Sequence, residues 1–86
     1  MTDNEIFEVL KQNICGIVPE IENVKITIED SLRDLGANSI DRAEIIMSTL
    51  ESIKVSIPMV AFGEAKNINE IIQIIAAGLK KTIVNG

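Results

Sequence analysis

Apolar residues return at three- and four-residue steps through the first stretch of the chain. They are Ile6, Val9, Leu10, Ile14, Ile17 and Val18, with Asn13 the one polar residue in the stripe. That spacing puts them on one face of a helix and not on the alternating faces of a strand. Thr2 and Glu5 ahead of the stripe have the form of a capping box, in which each side chain satisfies the other's free backbone donor. A helix is expected over about residues 3–17, ended near Pro19.

The pattern stops over residues 19–38. Glu20, Glu22, Glu29, Asp30 and Asp34 keep this stretch wet, while Ile26, Ile28, Leu32 and Leu35 are the expected anchors to a core. Residues 31–34 can add a helical turn. Connections longer than about 15 residues are uncommon and often functional. A second helix begins at Ser39 or just after, with Asn38 or Ser39 able to cap it, and runs to Ser52 or Ile53. Pro58 disfavours helix at the residue before it, and residues 59–64 can form a short helical turn. Asn67, with Glu70 three residues on, offers a further cap. Ile68, Ile71, Ile72, Ile75 and Leu79 then keep helical spacing to about Lys81, where Lys80 and Lys81 would favour the negative end of the helix dipole. Ile-rich runs also suit strands by propensity, but the spacing decides for helix. The expected architecture is all-α: one domain over residues 1–86, core about 3–81, with a frayed tail at 82–86. It would be a small antiparallel four-helix bundle of three main helices and a short third one.

The second helix is the least ordinary element. Projected at about 100° per residue, Ile40, Ala43 and Met47 fall close together, and Ile46, Leu50 and Ile53 extend them into an arc of about 140°. Ile45 lies outside this arc, and Asp41, Glu44, Ser48 and Glu51 form a polar stripe along one edge. So broad an arc is either buried against two neighbours or partly exposed beside the acids, the form of a protein-docking surface. Periodicity leaves both open.

Composition narrows the function classes. The chain has 86 residues, 47% hydrophobic and 24% charged, with Phe7 and Phe62 its only aromatics, so the core must be aliphatic. Eight basic against 13 acidic residues give a net charge of −5, which argues against binding nucleic acid. An acidic surface serves solubility, or meets basic patches on partners. The single Cys15 cannot make an internal disulfide and, lacking a local activating base, is expected to be an inert helix-face thiol. The N-terminal stretch lacks the basic and apolar regions of a signal peptide, and no apolar run approaches the ~18 residues of a membrane span. A cytoplasmic monomer that does not enter membranes is expected. There is no His, Tyr or Trp, the five glycines are isolated, and the acids are scattered. No catalytic residues and no metal site are expected, so the chain is not expected to be an enzyme.

Residues 35–47, LGANSIDRAEIIM, resemble the phosphopantetheine-attachment motif of acyl carrier proteins, which runs Leu-Gly-(Ala/Met)-Asp-Ser-Leu into an acidic helix. Length, acidity, the central placing of the motif and Ile57-Pro58 after the second helix agree with that family, over about residues 5–80. The resemblance implies that Ser39 carries a covalent 4′-phosphopantetheine, attached by a phosphopantetheinyl transferase. A helix start also suits a phosphodiester, although a serine there is more commonly an ordinary cap. Asn38 replaces the usual Asp, Ile40 the usual Leu, Arg42 interrupts the acidic face, and Leu50 takes a position that is often acidic. The string GANSIDRAE is similar to a narrower group, the discrete donor carriers of polyketide β-branching cassettes. That likeness implies an acetyl group, loaded by an acyltransferase or decarboxylase and passed to an enzyme resembling hydroxymethylglutaryl (HMG) synthase. Ile40, Asp41, Arg42, Ala43, Glu44 and Met47, with Met59 nearby, are the expected docking face. Two alternatives stand beside this: a general carrier for fatty-acid, polyketide or nonribosomal peptide synthesis, and an unmodified helical interaction module.

Overall fold

The computed structural model describes residues 1–21 and 24–85, with side chains described as far as Lys80. Helix α1 spans Asp3–Ile17, α2 spans Ser39–Ile53 and α3 spans Ile68–Asn85, and no strand occurs among the described residues. Single 3₁₀ turns lie at Pro19–Ile21 and Met59–Phe62. The short third helix expected from the sequence is thus one 3₁₀ turn.

α1 forms as its pattern dictates. Thr2 Oγ1 accepts from Glu5 N at 3.2 Å and Glu5 Oε1 accepts from Thr2 N at 2.8 Å, closing the capping box. The Thr2 backbone N–H foremost, and the Thr2 side chain after it, hold the Glu5 carboxyl below its ordinary pKa. Ile6, Leu10 and Ile14 are fully buried, and α1 packs on both α2 and α3. Burial of each such side chain is worth about 1.5–3 kcal/mol relative to exposure. Around them stand Ile45, Ile46 and Leu50 of α2, Ile68, Ile71, Ile72 and Ile75 of α3, and Phe62 of the second 3₁₀ turn. Asn13, the break in the stripe, donates from Nδ2 to Val9 O and to Thr49 Oγ1, both at 3.1 Å. Thr49 is fully buried and donates in turn to Ile45 O at 2.7 Å. A buried polar group costs free energy unless it is bonded, and the Thr49 hydroxyl both donates and accepts.

The buried side of α2 therefore differs from the arc drawn on the sequence. Ile45 is wholly buried, while Ile40 and Met47 are 71% and 57% exposed. The core-facing side runs through Ile45, Ile46, Thr49 and Leu50. Of the two readings that periodicity left open, the partly exposed one holds for Ile40 and Met47, and the core takes Thr49 in their stead because a residue 36 positions away satisfies it.

The long connection is ordered by its backbone as much as by its anchors. Leu32 is buried and Ile26 and Leu35 pack against the core, together with Ile21 and Ala37. Ile28 is exposed, contrary to expectation. Its contribution is its carbonyl, which accepts from Asn69 N, while Asp30 O accepts from Ile68 N, each at 2.9 Å. The connection thus satisfies donors that the start of α3 would leave free, and Asn67 Oδ1 accepts from Glu70 N at 2.9 Å. α3 is helical to Asn85, past the expected end at Lys81, so its last turn carries no basic residue and Lys80 lies short of it. The fraying expected at 82–86 concerns residues whose side chains lie outside the described part, as does all of Gly86.

Candidate functional site

Ser39 is set in place by two successive local devices. Where a helical turn was expected at 31–34, residues 32–36 form a hydrogen-bonded turn that ends with a Schellman closure: Ala37 N donates to Leu32 O and Gly36 N to Arg33 O, each at 3.0 Å. Gly36 takes φ 100°, a conformation open to glycine at little cost. Ala37 and Leu32 are both buried, which locks the closure to the core. Asn38 then caps α2. Its Oδ1 accepts from Asp41 N at 2.8 Å, and Asp41 Oδ2 accepts from Asn38 N at 3.4 Å.

Capping is thus the work of Asn38, which serves as well as Asp would because only a side-chain oxygen is required. Ser39 is the first residue of α2, exposed, and its hydroxyl is not used for capping. The one hydrogen bond recorded for that hydroxyl is from the helix's next turn, where Arg42 Nη2 donates to Ser39 Oγ at 3.2 Å.

Ser39 opens onto a groove of about 580 Å³, walled by α2, the turn at 32–36, the second 3₁₀ turn and the start of α3. Leu32, Ile46, Phe62 and Ile71 give it an apolar lining, and Arg33, Arg42 and Lys66 bring positive charge. Three of the eight cations of an acidic chain therefore line one groove. The groove exists because the described contacts of α2 and α3 are chiefly with α1.

The outer side of α2 carries Ile40, Glu44, Met47 and Glu51, all exposed and at three- and four-residue steps, so apolar and acidic residues alternate along one stripe. Asp41, Arg42 and Ala43 are half-buried, and Met59 is 38% exposed on the groove rim. Val60, 85% exposed, adds apolar surface that the helical pattern gave no reason to single out. Its signal was the run Met59-Val60-Ala61, of which the core takes only the neighbour Phe62. Arg33 and Lys66 were likewise missed, since nothing in their local sequence links them to Ser39.

The family described as "Phosphopantetheine attachment site" matches residues 8–75, most of the chain and all of this site. The chain belongs to the phosphopantetheine-binding carrier family. The polyketide biosynthesis acyl-carrier-protein AcpK of Bacillus subtilis (strain 168) is 43% identical to this carrier over 75 residues, 87% of this chain and 92% of that one. Among solved structures, a chain from the crystal structure of the curacin biosynthetic pathway HMG synthase in complex with acetyl donor-ACP matches with a TM-score of 0.84. Its identity is 36%, over 90% of this chain and 99% of that one. A chain that this small carrier spans from end to end is the carrier of that complex and not its synthase.

The cofactor of the family is a covalently attached 4′-phosphopantetheine, and its members are carriers and not catalysts. The groove suits such a group, with an exposed hydroxyl at its mouth, cations for a phosphodiester and an apolar lining beyond. Among the described residues no cluster fit to hold a metal occurs, and no helix is long and apolar enough to cross a membrane.

Proposed function

We propose that Ser39 is the attachment residue and that the protein is an acetyl donor in polyketide β-branching, handing acetyl to an HMG-synthase-like enzyme in the cytoplasm. A phosphopantetheinyl transferase would attach the arm, and an acyltransferase or decarboxylase would load it. When bound, the arm supplies a thiol that holds the acetyl group as a reactive thioester beyond the protein surface. The observation that carries the reading is the placing of Ser39. It lies within the matched region, at the first position of α2, with Asn38 relieving it of the cap.

The residues of this chain do three things. Asn38 and Asp41 fix the start of α2 and so fix where Ser39 points. Arg42 sits against the Ser39 hydroxyl. Ile40, Ala43 and Met47, rimmed by Asp41, Glu44 and Arg42, with Met59 across the groove, offer the synthase an apolar patch with charges at its edge. Such edges act mainly on association rate and on rejecting mismatched partners, while the apolar anchors set affinity.

Two likenesses support the donor role: 43% identity to a carrier of polyketide biosynthesis, and 36% to one solved with an HMG synthase. The test is acetyl transfer from the loaded carrier to a purified HMG-synthase-like partner, with a fatty-acid carrier protein as competitor. A donor carrier outpaces the competitor by tenfold or more. Equal rates would leave a general carrier and refute the donor role.

A further inference from the structure

Arg42 is bound on one side and unfinished on the other. Its Nη2 donates to Ser39 Oγ, and its Nε, sealed from solvent, has no hydrogen-bond partner among the described residues. The planar guanidinium puts the Nε–H and one Nη2–H on the same edge, as a two-pronged fork. Nη2 already touches the oxygen that would become the ester oxygen, and the Nε–H beside it is unused. An unpaired buried donor is costly, so its retention calls for a partner.

Resting on the attachment proposed above, we infer that the Arg42 fork grips the phosphodiester at Ser39 and sets the direction in which the arm leaves the protein. The acceptors it needs are the non-bridging phosphate oxygens, which are bound to the same phosphorus as the ester oxygen and therefore lie within reach of the same edge. The charge situation asks for it too. The start of α2 is already occupied by the Asp41 carboxylate, which accepts from Asn38 N, so a further anion at Ser39 meets a like charge close by. In a chain of net charge −5 a local cation must offset it, and Arg42 is the one recorded in contact with Ser39. A bidentate grip fixes orientation as well as charge, which a single ammonium cannot do. Arg42 then acts inward as a positioning residue, besides the charge it brings to the rim of the docking face.

The chain has two arginines, Arg33 and Arg42, so a ¹⁵N-labelled sample shows two Nε–Hε signals, and Arg42→Gln identifies one by its loss. The experiment compares hydrogen exchange of these signals in the unmodified protein and in protein whose arm attachment is verified by intact mass. Exchange at Arg42 Nε slows about tenfold on attachment, equivalent to about 1.4 kcal/mol, while Arg33 is unchanged. In modified protein, the ³¹P signal of the phosphodiester broadens less with Arg42→Gln, because the group tumbles more freely. Arg42→Lys falls between, keeping the charge without the fork. Attachment with unchanged Arg42 exchange, or protection of Arg33 instead, would overturn the grip and leave the attachment site standing. No gain of mass would overturn both.

Discussion

Truncating Met47 to Ala removes apolar surface from the outer side of α2 without opening the core. Met47 is 57% exposed, which for a side chain of its size leaves about 100 Å² free, worth about 2.5 kcal/mol if a partner covers it fully at about 25 cal/mol per Å². Alanine retains a part of this, so the loss on docking is about 1–2 kcal/mol, or about tenfold in transfer efficiency. Folding should change by less than about 0.5 kcal/mol, since an exposed methionine is exchanged for a good helix former. Glu51, exposed on the same stripe, is the control. As a rim charge, its truncation should cost under about threefold and act through salt-dependent association. The assay is acetyl-transfer kcat/KM from loaded carrier to an HMG-synthase-like partner at low and high salt, with helicity matched by circular dichroism. Transfer by Met47→Ala at the wild-type rate, or a larger loss with Glu51→Ala, would refute this docking face.

Two further expectations concern the fold. Lys54 closes α2 in the left-handed region at φ 65°, in a Schellman closure where Val55 N reaches Leu50 O at 3.1 Å. Lys54→Gly should therefore raise stability by up to about 1 kcal/mol in urea unfolding, and a loss of stability would mean that the lysine side chain contributes more than its strain costs. The Asn13–Thr49 bond joins α1 to α2, so a double-mutant cycle with Asn13→Ala and Thr49→Val should give a coupling of about 1 kcal/mol, and additive effects would rule the bond out.

Local features were legible in the sequence and long-range ones were not. The α1 capping box and the bounds of α1 and α2 follow from residues within one turn of each other, and the structure has them where the pattern put them. The motif around Ser39 was legible for the same reason: its geometry is made by residues 32–42, each bonding to near neighbours. The inward side of α2 was not. Ile40 and Met47 face out and Ile45 and Ile46 face in, so apolar periodicity has no single direction, and Thr49 takes its partner from another helix. The use of the Ile28 and Asp30 carbonyls by α3 leaves no trace in side-chain identity. The gathering of Arg33, Arg42 and Lys66 at one groove depends on tertiary packing alone.

The proposed attachment of the arm at Ser39 is tested by intact mass with peptide mapping. The protein is treated with a phosphopantetheinyl transferase and coenzyme A, in parallel with Ser39→Ala. Ser39 is exposed and does not cap α2, so the variant should keep its helical circular dichroism. The wild-type chain should gain one arm, mapped to the peptide holding Ser39, and the variant none. A wild-type chain that stays unmodified, or a Ser39→Ala chain that gains the arm in full, would contradict it.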